Sequence, residues 1–129
     1  EDLANFYFLN GDDNSSLSYY QKAEKIYDDL GNEIKQAEIK TKVADILFQI
    51  FDASDSAITY LEQALDLYLK SNYLKESAEV YEKLATIYEK LGSFDNAIFH
   101  LENAIITYTN LNDVEKQNII KNRIRKLKP

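Results

Sequence analysis

The chain has 129 residues, of which 45% are hydrophobic, enough apolar material for one compact domain or a short repeat array. It contains no cysteine, which excludes a disulfide framework and thiolate chemistry. It also has no apolar run near the roughly 18 residues that a membrane span requires. Only three Gly and one Pro, among many Leu, Ile, Ala, Glu and Lys, predict an all-helical protein, because these common residues lose little conformational entropy in a helix.

The net charge of −7 is unevenly distributed. Residues 113–129 hold 2 acidic and 6 basic side chains, whereas the rest of the chain holds 20 acidic and 9 basic ones. An acidic body repels phosphate, so the sequence predicts neither a nucleic-acid nor a membrane partner. The helix dipole accounts for the basic residues at the end of the last helix, where no aromatic side chain is interleaved for base stacking.

Clusters of Gly, Asn, Asp and Ser divide the chain into seven predicted helices, because these residues are typical of helix ends. The helices are expected near 2–10, 15–30, 33–51, 55–70, 73–91, 94–109 and 113–127. The first is shorter than its counterparts, since Ala4 occupies the place that Ala44 and Ala85 hold in mid-helix. The chain is therefore expected to be a fragment of a longer protein.

The predicted helices form three copies of one helix-pair pattern. The first copy recurs 81 residues later: Ala4, Tyr7, Gly11, Ser16, Tyr20, Ala23 and Tyr27 return as Ala85, Tyr88, Gly92, Ala97, Leu101, Ala104 and Tyr108. The middle copy consists of Ala44, Leu47, Ala57, Leu61, Ala64 and Tyr68, with one extra residue that the turn 52–55 can absorb. Repeats of about 40 residues predict a solenoid in which each helix pair packs on its neighbours.

Apolar side chains at helical spacing predict the core. The fifth and sixth helices carry two such rows: Ala78, Tyr81, Leu84, Ala85, Tyr88 and Leu91; then Ala97, Leu101, Ala104, Ile105 and Tyr108. Tyr27, Tyr68 and Tyr108 are expected to pack between helix pairs with their hydroxyls in water. The last helix is expected to cap the array through Val114, Gln117, Ile120, Ile124 and Leu127.

The third copy resembles the tetratricopeptide repeat (TPR). The segment Leu84-Ala85-Thr86-Ile87-Tyr88, followed by Gly92, Ala97, Leu101 and Ala104, is similar to the TPR pattern, with Ala85 in place of Gly and Leu101 in place of Phe. The resemblance implies a right-handed TPR-like α-solenoid covering 1–129 as one domain, with repeats at about 1–31, 33–71 and 73–111 and a capping helix at 113–127. The repeats are elongated, like those of bacterial peptide-pheromone receptors of the Rap type and of SNAP adaptor proteins. Residues 42–50 and 60–68 most resemble the pheromone-receptor group.

The resemblance implies a peptide-binding groove on the first helix of each pair, because TPR arrays present this helix on their concave side. Asn5, Asp45 and Thr86 occupy equivalent places in the three copies, where the family often uses Asn to hold a peptide backbone. A solvated helix face explains the same polar residues about equally well. The predicted peptide-binding residues are Asn5, Phe8, Glu38, Thr41, Lys42, Asp45, Phe48, Gln49, Glu79, Glu82, Lys83, Thr86 and Glu89.

No motif predicts catalysis, a metal or a cofactor. His100 is the only histidine and has no Cys or His partner for a metal, so a surface or interhelical place is expected. Glu79, Glu82 and Glu89 alternate with lysines, which favours surface ion pairs over an acid–base site. The chain is therefore interpreted as a non-enzyme.

Two functions remain open. The first is a peptide- or protein-binding scaffold in the cytoplasm, part of a bacterial regulatory or signalling protein that responds to a bound peptide. The second is a structural adaptor that stacks with further repeats or forms a homodimer through an exposed repeat end containing Leu3, Phe6 and Tyr7.

Overall fold

The computed structural model describes the backbone of residues 13–128 and the side chains of residues 15–128. In this part of the chain there are six helices and no strand: α1 (Asp13–Asp29), α2 (Glu33–Gln49), α3 (Ser54–Lys70), α4 (Leu74–Lys90), α5 (Phe94–Asn110) and α6 (Val114–Leu127). The six helices predicted between residues 15 and 127 are confirmed, with every end within two residues of the expected place. The helix predicted near 2–10 lies outside the described residues.

One residue with a left-handed backbone follows each of the first five of these helices. These residues, with their φ values, are Gly31 (70°), Asp52 (53°), Asn72 (62°), Gly92 (74°) and Asn112 (57°). All five lie in the predicted clusters, because Gly has no Cβ to clash in this conformation and Asn and Asp tolerate it. The pattern confirms that the helix ends are encoded locally.

The same backbone hydrogen bonds close four of these junctions. An N–H just after the left-handed residue donates to the carbonyl oxygen of a tyrosine five positions earlier: Asn32 to Tyr27 at 2.9 Å, Tyr73 to Tyr68 at 2.9 Å, Ser93 to Tyr88 at 2.9 Å and Asp113 to Tyr108 at 3.0 Å. This is the Schellman arrangement, which satisfies a carbonyl that the helix itself leaves unpaired. The repeated tyrosines thus mark the last turn of four helices.

The junction after α2 differs by one residue. Here the N–H of Ala53 donates to the carbonyl of Leu47, six positions earlier, at 2.8 Å. The extra residue predicted in the turn 52–55 is therefore accommodated in the loop, and the apolar register of α3 is kept.

The chain divides into two compact units, Glu1–Leu67 and Tyr68–Pro129. In the first unit, α1 and α2 pack through a core of Tyr20, Ala23, Ile39, Val43 and Ile46. Tyr60 of α3 packs against the margin of this core.

In the second unit, α5 packs against both α4 and α6. The small residues Ala78, Ala85, Ala97 and Ala104 form the centre of its core and permit close approach of the helix backbones. The larger core residues are Leu101, Tyr108 and Ile120.

Most of the predicted apolar rows are buried, with two exceptions. Leu91 is 50% exposed because α4 ends at Lys90, and Val114 is 63% exposed at the start of α6. Of the α6 row, Ile120 alone is fully buried, while Gln117, Ile124 and Leu127 are half-buried. Tyr68 and Tyr108 are buried, as predicted, and Tyr27 is half-buried.

The first helices of the second and third copies bury equivalent residues. Gln36, Ala37, Ile39, Val43, Ala44 and Ile46 are buried in α2, and Ser77, Ala78, Val80, Leu84, Ala85 and Ile87 are buried in α4, each 41 positions later. The two copies of the sequence pattern therefore bury equivalent positions. The side chains between the buried positions form equivalent outward faces on α2 and α4.

Candidate protein-binding faces

The outward face of α2, which we call the α2 face, carries six of the predicted peptide-binding residues. Helical spacing separates them from the buried row formed by Ile39, Val43 and Ile46. Five of the six are half-buried and one is exposed: Glu38, Thr41, Lys42, Asp45 and Phe48, and then Gln49.

Contacts within the first unit hold part of the α2 face in place. Glu38 forms an ion pair with Lys35 one turn earlier, at 3.3 Å. The hydroxyl of Thr41 donates to the carbonyl of Ala37 at 2.9 Å, and the ammonium of Lys42 lies 5.8 Å from the ring centre of Tyr20. The Lys42 charge is therefore fixed over an aromatic ring at the edge of this face.

A lysine that the sequence analysis did not single out connects three helices of the same unit. Lys40 Nζ lies 2.6 Å from Glu24 Oε1 on α1 and 2.9 Å from Gln63 Oε1 on α3, and 5.5 Å from the ring centre of Tyr60. The Lys40 side chain is 14% exposed and that of Glu24 21% exposed, so the pair is shielded from water. Glu24, Lys40 and Tyr60 line a cleft of about 430 Å³.

The outward face of α4, which we call the α4 face, carries the other five predicted residues that the structure describes. Glu79 and Thr86 are exposed, and Glu82, Lys83 and Glu89 are half-buried. Three of them contact other helices of the second unit.

Tyr108 of α5 reaches Glu82. Its hydroxyl donates to Glu82 Oε2 at 2.6 Å, and Tyr108 is only 2% exposed. Burial, followed by the hydrogen bond to this carboxylate, raises the pKa of Tyr108 well above its ordinary value of 10.0. The expectation that this hydroxyl reaches water is wrong, because Glu82 accepts its hydrogen bond instead.

Arg123 of α6 contacts the other two residues. Its Nε lies 2.7 Å from Glu89 Oε1, and its guanidinium also donates to the Thr86 hydroxyl at 2.9 Å. Thr86 in turn donates to the carbonyl of Glu82 at 3.1 Å. One basic side chain of the capping helix thus occupies part of the predicted binding face.

His100 packs between helices. Its ring stacks on Tyr88 at 5.4 Å and an angle of 13°, and the ring of Tyr81 lies 6.1 Å away. Nδ1 is buried without a hydrogen-bond partner in the described structure, and burial lowers the pKa of His100 from its ordinary value of 6.5. Of the two places expected for this residue, on the surface or between helices, the structure shows the second.

In residues 13–128, no group of three or more His, Cys, Asp or Glu side chains is arranged to hold a metal ion. Within the same range, no helix combines the length and the hydrophobicity needed to cross a membrane. Asn5 and Phe8, the other two predicted peptide-binding residues, lie outside the described residues.

Comparison with solved structures supports a helical repeat fold. The crystal structure of BtubC (BKLC) from P. vanneervenii is similar to this chain with a TM-score of 0.72 and 22% sequence identity. The similarity covers 97% of this chain and 60% of that protein, so the chain spans about three fifths of its length. Together with the helices described above, this likeness shows an all-α, solenoid-type fold.

A protein-family model matches a large part of the chain. No curated protein sequence matches the chain significantly. The family model described as soluble NSF attachment protein, SNAP, matches residues 49–128, which is more than half of the chain. TPR-like helical repeats of this kind are protein-interaction scaffolds. The chain therefore belongs to the soluble NSF attachment protein (SNAP) family.

Proposed function

We propose that the chain is a non-enzymatic adaptor that binds a peptide or a protein partner through the outward faces of its first helices. The observation that carries the proposal is the α2 face, where charged, hydroxyl, amide and aromatic groups share one side of a helix whose opposite side is buried. Such a mixture suits a peptide, because it offers hydrogen bonds to the backbone and an aromatic contact for a side chain.

Part of the α4 face already bonds within the second unit. The groups of Glu82, Thr86 and Glu89 bond to Tyr108 and Arg123. A partner of the α4 face would have to compete with these contacts.

Membership of a family described as an attachment protein supports a protein partner. The finer proposal is a cytoplasmic, bacterial regulatory protein that responds to a bound peptide, and it rests on the resemblance of residues 42–50 and 60–68 to the pheromone-receptor group. The SNAP model covers the second of these segments, which favours the adaptor over the receptor.

A phage-displayed library of random peptides tests the proposal directly. Peptides selected on the immobilised chain would be labelled, and their affinities measured by fluorescence anisotropy. We expect Asp45→Ala and Phe48→Ala each to weaken binding about tenfold, because central polar and aromatic contacts carry most of the energy of an interface.

Phe51→Ala is the matched control for Phe48→Ala. Phe51 is 41% exposed and follows α2 in the loop, so its loss should leave the affinity unchanged. Circular dichroism would confirm that every variant keeps its helix content. Peptides that bind equally well to the Asp45 and Phe48 variants would show that the α2 face is not the binding site.

A further inference from the structure

A cleft in the second unit lies between the beginning of α5 and the end of α6, and none of its lining residues belongs to either candidate face. It has a volume of about 710 Å³. Its apolar lining comes from Phe94 and Ile98 on α5 and from Leu127 on α6. Phe94 is 48% exposed.

The two rims of this cleft carry opposite charges. Asp95 and Glu102 line it from α5, and Lys126 and Lys128 line it from the other side. None of the four side chains takes part in an ion pair or hydrogen bond with another residue of the described chain. The cleft therefore has an acidic edge, an apolar floor and a basic edge.

Two further apolar side chains of α5 are exposed. Phe99 is 58% exposed and Ile106 is 60% exposed, and helical spacing places them beside the acidic edge, on the side away from Phe94 and Ile98. Exposed apolar side chains next to charged ones are typical of an interaction site.

We propose that this cleft binds a second copy of the chain about a two-fold axis. An axis that runs along the cleft, parallel to α5 and α6, lays α5 of one copy over α6 of the other. The acidic edge of each copy then faces the basic edge of its partner, and this contact occurs twice. Such an isologous interface needs only one self-complementary surface, which this cleft provides.

The opposite charges of the two edges favour a second copy of the chain over other occupants of the cleft. A basic peptide would match one edge and be repelled by the other, as would an acidic peptide. A second copy matches both edges and covers Phe94 and Leu127 at the same time.

Sedimentation velocity across a wide concentration range tests the proposal. The mass of the chain should rise from the monomer value of 14.9 kDa towards that of a dimer. Two double variants, Asp95→Lys with Glu102→Lys and Lys126→Glu with Lys128→Glu, should each raise the dimer dissociation constant at least about tenfold, because like charges then face each other.

An equimolar mixture of the two variants provides the decisive measurement. In the mixed dimer, the unaltered edges face each other at one contact and the two reversed edges face each other at the second. Both contacts are complementary, so the mixture should recover association that neither variant shows alone. Lys75→Glu with Lys116→Glu makes the same charge change at exposed positions outside the cleft and should leave association unchanged.

Three results would overturn the proposal. The chain could stay monomeric at all concentrations, the charge reversals could leave association intact, or the mixture could fail to recover it. The reversed positions lie on the rim, and circular dichroism would establish that loss of association is not loss of folding.

Discussion

Tyr108 shows how one repeated residue acquires an individual role. Tyr27, Tyr68 and Tyr108 all lie in the last turn of their helices, where their carbonyls accept the hydrogen bonds that close the junction. The hydroxyl of Tyr108 also donates to the carboxylate of Glu82, 26 positions away. The backbone role is repeated, whereas the side-chain role depends on Glu82 of the neighbouring helix.

At the scale of single residues, we predict that His100 makes the stability of the chain sensitive to mild acid. Its pKa is lowered in the folded state by burial, so the unfolded chain binds a proton more readily. The contribution of neutral His100 to the stability of the fold is complete above 6.5, its pKa in the unfolded chain. This contribution is lost as the pH falls from that value towards the lower pKa of His100 in the folded chain. Urea unfolding followed between neutral and mildly acidic pH should show this decline.

His100→Phe separates this effect from general acid unfolding. Phenylalanine keeps an aromatic ring against Tyr81 and Tyr88 but cannot take up a proton, and His100 is the only histidine of the chain. The stability of this variant should be flatter over the same pH range. Identical pH profiles for the two proteins would rule out His100 as the cause.

At the scale of helices, local chemistry explains the ends and the buried rows. Gly31, Asn72 and Gly92 encode their junctions through backbone conformation alone, which is why the ends could be predicted to within two residues. The buried rows follow from helical spacing in the same way.

The contacts of the candidate faces could not be predicted from the sequence. Arg123 and Glu89 are 34 positions apart, and Lys40 and Gln63 are 23 apart. These pairs depend on which side of one helix turns towards another, and charge type at a position does not reveal this. The helix dipole already explains why basic residues lie at the end of α6, so the sequence alone does not reveal the contact of Arg123 with Glu89.

We predict that Arg123 fastens α6 to α4. Ile120 is the single fully buried side chain of α6, so a polar contact to α4 should reduce how often this helix detaches. Because the side chains of Arg123 and Glu89 are 28% and 29% exposed, a double-mutant cycle with Arg123→Ala and Glu89→Gln should give a coupling of only about 0.5 kcal/mol.

Hydrogen exchange provides the second measurement. Arg123→Ala should speed amide exchange in α6 and leave the amides in the middle of α4 unchanged. Arg125→Ala removes an exposed arginine of the same helix and serves as the control. Equal exchange in the two variants would show that Arg123 does not hold the helix.

At the scale of the whole molecule, the topology predicts fast folding. The extensive helix contacts of the described chain join sequence neighbours: α1 with α2, α4 with α5, and α5 with α6. Local contacts close short loops at small entropic cost, so helical proteins of this kind fold in microseconds to milliseconds. The tyrosines, ten in all with no tryptophan, provide a fluorescence signal for stopped-flow refolding.

Refolding should also lack a phase lasting tens of seconds. Such phases usually come from isomerisation of an X–Pro bond, and the single proline, Pro129, follows α6, so no helix between residues 13 and 127 contains this bond. Association of two copies could produce a slow step of its own, but its rate would increase with protein concentration, whereas isomerisation would not. A dominant slow phase that is independent of concentration would therefore contradict the expectation that neighbouring helices assemble without a slow local step.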